Sequence, residues 1–243
     1  MARLEVAERL TTVSSLWSRA GLKSAVRRLK TVCSLADRTV GGTRSVQSPQ
    51  MPVPAHLALT PAIDDFRRQF EQLADDADAL VAQLTDLQFT WQPKPEAWSI
   101  AQCLDHLNVT ARLFLPFLDE GIADAIRHGL YGEGPFTYNW LGRLAVWMLE
   151  PPPRFRMKTA AAFHPPSSRT RREILAAFRA YKVQYVDRLR QANGLDLARA
   201  RVRSLTGSWI HIPLGSGFAA TTAHERRHLW QARRLLAAPG FPE

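Results

Sequence analysis

Two histidines near the end of the chain have the spacing of a metal-ligand pair. His224 and His228 are four residues apart, so in a helix they lie about 40° apart around the axis and one turn apart along it. Two imidazoles on one helix face can reach a single ion, at distances of about 2.0–2.1 Å. The pair alone has a second interpretation, because histidines near a helix C-terminus are also stabilised by the helix dipole.

A third histidine could complete such a site. His106 directly precedes Leu107, at the edge of an apolar stripe formed by Ile100, Leu104, Leu107, Ala111 and Phe114. A single histidine at such a position is more often a core residue than a ligand. A helical bundle, however, can place it beside His224 and His228. Three protein ligands and one open position are typical of a catalytic metal centre.

The polar residues close to these histidines in sequence are predicted to be poor ligands. Asp105, Asn108 and Glu225 lie within two residues of a candidate ligand, and adjacent helical residues point about 100° apart. We therefore predict that they are solvated or support a ligand from behind. Cys103, one turn before His106, is predicted to be a small buried hydrophobe rather than a thiol at the site.

Long helices are predicted to carry these side chains. The first begins at Thr60 and Pro61, an N-cap residue followed by proline at the first helical position. Its apolar residues recur at spacings of three and four, which is typical of a bundle helix; they are Phe66, Phe70, Leu73, Ala77, Leu80 and Leu84. The second helix begins at the capping box of Ser99 and Gln102 and runs to about Leu130.

Two more long helices follow. Thr170 and Glu173 form another capping box, which starts a helix that ends near Gly194. The last helix is predicted to lie between Pro213 and Pro239.

The links between these helices carry weaker signals. Residues 87–98 are predicted to be a loop, and a Pro- and Trp-rich insert around residues 135–165 includes a short helix over 140–149. One short extended piece is expected at residues 208–212. The predicted fold is therefore all-α: a four-helix bundle with a long crossover and this insert.

Domain boundaries follow from composition. Residues 58–238 are predicted to form the bundle, and residues 1–57 a basic N-terminal extension. The extension has two interpretations: a targeting or membrane-surface segment, or a dispensable or disordered extension, with translation starting at Met51 as a specific version of this second case.

Charge and cysteine content exclude several classes of protein. The net charge is +10, but residues 51–153 carry fourteen acidic against six basic side chains, whereas residues 154–203 carry thirteen basic against three acidic ones. This acidic half argues against a nucleic-acid-binding protein. No apolar run approaches the length of a membrane span. With only two cysteines, Cys33 and Cys103, a CxxC zinc site is excluded. The same count argues against a disulfide framework, and a cytoplasmic location is expected.

Two segments give the sequence a family resemblance. The segment Trp98-Ser99-Ile100-Ala101-Gln102-Cys103-Leu104-Asp105-His106-Leu107 resembles the second-helix signature of DinB-like proteins, and His224-Glu225-Arg226-Arg227-His228-Leu229-Trp230-Gln231 resembles their last-helix signature. The resemblance covers roughly residues 58–238. It implies a divalent metal, zinc or nickel, held by His106, His224 and His228. The departures are the N-terminal extension and the insert, which could either cap the open metal face or form an exposed interaction surface.

The expected chemistry has two forms. A metal held by three imidazoles can acidify a bound water for attack on an ester or amide, or it can bind and activate a thiolate. The resemblance implies thiol-dependent transfer more than hydrolysis, with a small-molecule substrate and a low-molecular-weight thiol as partners. The alternative is a non-catalytic bundle that binds metal and acts as a sensor or interaction module. Metal identity, substrate and homodimer formation stay open.

Overall fold

The computed structural model describes residues 58–138, 140–154, 158–166, 169–205 and 207–243. The predicted extension over residues 1–57, and with it the alternative start at Met51, lies outside the described residues. The described residues belong to two units. Residues 207–210 belong to one unit, and the remaining described residues belong to the other.

The described residues form mostly helices. The helices are α1 (Pro61–Val81), α2 (Asp86–Thr90), α3 (Ile100–Arg127), α4 (Trp140–Leu149), α5 (Arg171–Gln191) and α6 (Leu214–Leu235), with a one-turn 3-10 helix at Ala161–Phe163. The described residues also include two strands, β1 (Arg201–Ser204) and β2 (Gly207–Pro213).

The four long helices form the predicted bundle. Helices α1 and α3 each pack against both α5 and α6, so each long helix buries its apolar face between two others. At the α1–α5 contact, the rings of Phe70 and Tyr185 stack at 4.7 Å with an angle of 6° between their planes. The all-α bundle expected from the sequence is confirmed.

Capping boxes start three of these helices. In both predicted boxes, Ser99–Gln102 and Thr170–Glu173, the cap hydroxyl accepts from the backbone N–H three residues on, and the third residue's side chain accepts from the cap N–H. The prediction of a loop over residues 87–98 is wrong at its start, where α2 forms. Thr85 and Gln88 make a third box there, a signal that is visible in the sequence.

Helix α3 ends slightly before the predicted Leu130. Gly129 takes a left-handed conformation with φ of 61°. The N–H of Leu130 donates to the carbonyl of Ala125, and that of Gly129 donates to the carbonyl of Ile126. This is a Schellman motif, in which glycine satisfies carbonyls that the helix leaves open.

Strand β1 lies against α3. A Cβ on Gly121 would be 2.5 Å from the carbonyl oxygen of Arg201, so only glycine lets β1 approach α3 this closely. The extended piece expected at residues 208–212 lies within β2. The sequence analysis missed β1, whose four residues are too few for an alternating pattern.

None of the helices among the described residues is both long enough and apolar enough to cross a membrane.

Candidate metal centre

Three histidines from two helices meet inside the bundle. Helix α3 supplies His106, and α6 supplies His224 and His228. The Nε2 atom of His224 lies 3.2 Å from Nε2 of His106 and 3.1 Å from Nε2 of His228. His106 and His228 are buried, and His224 is partly buried. The structure therefore brings together all three residues that the sequence singled out as ligands.

A backbone carbonyl fixes the proton on one of these rings. Nδ1 of His106 lies 2.7 Å from the carbonyl oxygen of Phe163. Because a carbonyl oxygen only accepts hydrogen bonds, the Nδ1–H of His106 must donate to it. In the neutral ring Nε2 then carries a lone pair, and this atom faces His224. Such a bond on the far nitrogen orients and strengthens an imidazole ligand.

The spacing of the Nε2 atoms fits a metal ion. Nitrogen–metal distances of about 2.0–2.1 Å in tetrahedral geometry separate two ligand nitrogens by roughly 3.3 Å. The two observed separations, 3.1 and 3.2 Å, are close to this value. Among the described residues, this is the group whose nitrogen, sulfur or carboxylate atoms lie close enough together to hold an ion. Within the described part of the chain, this group consists of three histidines.

Burial keeps these imidazoles uncharged. Burial lowers the pKa of His106 from its ordinary value. Burial, with repulsion from His106, lowers the pKa of His224 to about 3. Burial and repulsion from His224 hold the pKa of His228 well below its usual range. At neutral pH the metal-free site therefore presents neutral rings, the form in which imidazole binds metals.

An aromatic side chain lies against the three-histidine cluster. The ring centroid of Trp98 is 4.8 Å from that of His106 and 5.6 Å from that of His228, nearly parallel to the latter. The ring of His164 is nearly perpendicular to the indole, and their centroids are 6.1 Å apart. The sequence analysis assigned no role to Trp98 or His164. Trp98 directly precedes Ser99, the N-cap of the helix that carries His106. Its place in the sequence therefore indicated that it lies near the first turns of α3.

The carboxylates next to His106 and His224 in the sequence, Asp105 and Glu225, are buried. Of the two roles predicted for them, the solvated role is therefore wrong. Glu225 is 2% exposed and forms an ion pair with the buried Lys182. Asp105 is 1% exposed and accepts a hydrogen bond of 2.9 Å from Arg169. Each points away from the three-histidine cluster's ligand nitrogens because it is adjacent in its helix. Lys182 lies on α5 and Arg169 directly precedes its N-cap. The residue pattern of α3 or α6 alone does not reveal these partners.

Cys103 is fully buried in the hydrophobic core. Burial raises the pKa of its thiol to about 12, so the group stays protonated at neutral pH. Its surroundings are those of the small buried hydrophobe predicted from the sequence.

The insert between α3 and α5 has two different parts. Its second part supplies the Phe163 carbonyl that binds His106. Its first part, α4, packs on α6, where Glu150 pairs with Arg226 at the end of α4. Helix α4 also leaves two tryptophans, Trp140 and Trp147, largely exposed. The insert was predicted either to cap the metal face or to form an exposed surface. The segment around Phe163 contacts His106, whereas α4 presents apolar surface.

The comparison with protein families agrees with this geometry. The family model of the DinB superfamily matches residues 69–232, about two thirds of the chain. The chain belongs to the DinB superfamily. The matched range begins within α1 and ends within α6, so it includes most of the bundle and all three histidines. Searches of curated proteins and of solved structures found no match.

Membership of the DinB superfamily is compatible with metal binding, and the chain carries a three-histidine group of suitable geometry. A fold or family does not by itself define a reaction. The extent of the domain, predicted as residues 58–238, stays a prediction, although the DinB match lies inside that range.

Proposed function

We propose that this protein is a divalent-metal-dependent enzyme of the DinB superfamily, in which His106, His224 and His228 hold zinc or nickel. The observation that carries the proposal is the convergence of three Nε2 atoms, with the far nitrogen of His106 bonded to a backbone carbonyl. Without an ion, an Nε2–H on His224 could donate to only one of the two neighbouring Nε2 atoms at a time. A cation among the three rings would accept a lone pair from each of them.

The ligands suit zinc and nickel equally. Imidazole is an accepted ligand for both ions, and three neutral rings leave the ion's charge uncompensated. Such an ion, when bound, acts as a Lewis acid at its open position and lowers the pKa of a water or thiol there.

The chain's own residues would prepare that position. Phe163 holds the His106 ring through its carbonyl, so the ring does not have to reorient when an ion or substrate arrives. Trp98 packs against the rings of His106 and His228 and would shield them from water on that side. The exposed His164, whose ring is nearly perpendicular to the indole of Trp98, is a further imidazole that could contact a substrate at the rim.

The proposed reaction is thiol-dependent transfer on a small-molecule substrate, with a low-molecular-weight thiol as the partner. The chain's own thiol, Cys103, is buried and protonated, so the sulfur would have to come from a separate molecule. Hydrolysis at the same site, and metal binding without turnover, are the outcomes against which this reaction is tested. A cytoplasmic location and the absence of a nucleic-acid partner belong to the same proposal.

The first experiment measures metal content. The full chain is purified beside the His106→Ala/His224→Ala/His228→Ala variant, and both are analysed by elemental mass spectrometry. We expect about one equivalent of zinc or nickel in the parent and none in the variant. The exposed His128 provides a matched control, and His128→Ala should retain the metal.

The second experiment measures turnover. The metal-loaded parent is assayed with a panel of low-molecular-weight thiols and an electrophilic acceptor, and separately with activated esters. Thiol-dependent turnover that disappears in the triple variant supports the proposal. Ester turnover without thiol would assign hydrolysis instead, and a loaded protein that is inactive in both assays would assign the non-catalytic role. A parent that cannot be loaded with metal would contradict the site itself.

A further inference from the structure

A cavity separate from the three-histidine cluster lies between α3 and α5. It has a volume of about 100 Å³ and is lined by Asn108, Val109, Arg112, Pro166, Arg169 and Tyr181. None of these residues is a candidate metal ligand. A volume of this size has room for several water-sized groups, which is enough for a small organic molecule.

The basic side chains of this cavity are only partly compensated. Arg169 donates to the buried Asp105, at 2.9 Å, which occupies one of its five N–H groups. Arg112 is exposed, and the described residues offer its guanidinium neither an ion pair nor a hydrogen bond. The guanidinium groups of Arg112 and Arg169 and the carboxylate of Asp105 together carry a net charge of +1. An anion with a single negative charge would balance it.

A buried acceptor on the lining residue Asn108 also lacks a donor. The Nδ2 group of Asn108 donates to the carbonyl of Ile174 at 3.0 Å and to Asp105 at 3.3 Å. Since both neighbours are acceptors, the amide orientation is fixed. Its Oδ1 atom is buried and has no donor among the described residues. An unpaired buried acceptor is costly, so a ligand that supplies an O–H or N–H group there would gain binding energy.

We propose that this cavity binds a small 2-hydroxycarboxylate. The carboxylate would bind the guanidinium groups of Arg112 and Arg169, which match its planar geometry, and the hydroxyl would donate to Oδ1 of Asn108. A hydroxy acid carries one negative charge and leaves the site neutral. An amino acid also supplies a donor, but its ammonium group would be added to a site that already carries a surplus positive charge.

The test is a binding measurement on metal-free full-length protein. Calorimetry with glycolate and lactate is compared with acetate, glycine and inorganic phosphate. We expect saturable one-to-one binding of glycolate or lactate, about tenfold tighter than that of acetate, which lacks the hydroxyl, and of glycine. Arg112→Gln should weaken it about ten- to hundredfold, because a charge-assisted hydrogen bond is lost.

Two control variants show whether the hydroxy acid binds in this cavity. Arg143→Gln removes the same charge from an exposed position on α4 and should leave binding unchanged. His224→Ala should also leave it unchanged, so failure of the metal site and failure of this proposal are distinguishable. Phosphate or acetate binding as tightly as glycolate would overturn the proposal, and so would equal losses in Arg112→Gln and Arg143→Gln or the absence of saturable binding.

Discussion

Lys182 and Glu225 form an ion pair in the interior of the bundle, where 4% and 2% of their surfaces are exposed. The ammonium group also lies over the ring of Phe178, 4.3 Å from its centroid. Glu225 Oε2 has no partner among the described residues. The pair joins α5 to α6 one residue from the proposed ligand His224, so it restrains the rotation of the helix that carries two of the three imidazoles.

Removing one partner of this pair should be far more costly than removing both. We expect Lys182→Met to lower the free energy of unfolding by about 3–5 kcal/mol, because it leaves a buried carboxylate without a counter-charge. The double variant Lys182→Met/Glu225→Leu should recover most of that loss, since it leaves no buried charge. Urea denaturation of the metal-free proteins at neutral pH measures both. A double variant as unstable as Lys182→Met would show that the pair is not the cause.

Acid should destabilise the metal-free protein through its buried imidazoles. In the unfolded chain His106, His224 and His228 titrate near pH 6.5, whereas burial lowers each pKa in the folded protein, that of His224 to about 3. Below pH 6.5 the unfolded chain therefore binds protons that the folded protein does not. The free energy of unfolding should fall by up to about 1.4 kcal/mol per pH unit for each histidine.

This pH effect is isolated by comparison with a variant. Urea denaturation between pH 7 and pH 5 is measured for the parent and for His106→Gln/His224→Gln/His228→Gln, both without metal. Other titrating groups are common to the two proteins, so the difference in slope belongs to the three histidines. Parallel slopes would contradict the lowered pKa values.

Trp98 should report occupancy of the centre. Its ring centroid lies within 6 Å of those of His106 and His228, so a paramagnetic or strongly coloured ion bound there should quench its fluorescence. Zinc, with a filled d shell, should quench it far less than cobalt. The signal is assigned by titrating cobalt into the parent and into Trp98→Phe. The exposed Trp147 supplies the control, because Trp147→Phe should retain the quenching; equal quenching in Trp98→Phe would place the ion elsewhere.

Cys103 should be inert in the folded protein. Burial raises the pKa of its thiol to about 12, and reaction with disulfide reagents requires the thiolate. In a Cys33→Ser variant we expect negligible labelling at pH 8 and one labelled thiol in denaturant. Cys103→Ala should keep its metal content, because the thiol is not proposed as a ligand. Rapid labelling of the folded variant would contradict this burial.

Local signals in the sequence predicted the fold well. The capping boxes at Ser99 and Thr170, together with the apolar repeats behind them, identify the helix starts because they depend only on residues within one or two turns. The box at Thr85 carries the same signal. The end of α3 at Gly129 depends instead on a left-handed glycine, which Gly132 and Gly134 could equally have supplied.

The interior contacts could not be predicted in the same way. The spacing of His224 and His228 indicates a shared helix face, and the position of His106 at the edge of an apolar stripe made it a possible third ligand. The family resemblance implied all three together. The partners of Glu225 and Asp105 lie on α5 or just before it, far away in sequence. Their burial depends on how closely the helices approach, which no single helix encodes. The hydrogen bond from His106 to Phe163 is still harder to predict from the sequence, because its acceptor is a backbone carbonyl, which every residue possesses.

That carbonyl makes the centre tolerant of some changes and sensitive to others. The group that orients His106 belongs to the main chain, so substitutions at position 163 leave it in place as long as the backbone keeps its path. An insertion or deletion in the segment 158–166 would move the acceptor by about 3 Å or more per residue and release the ring. The sequence of this segment is therefore free to diverge, whereas its length is under constraint.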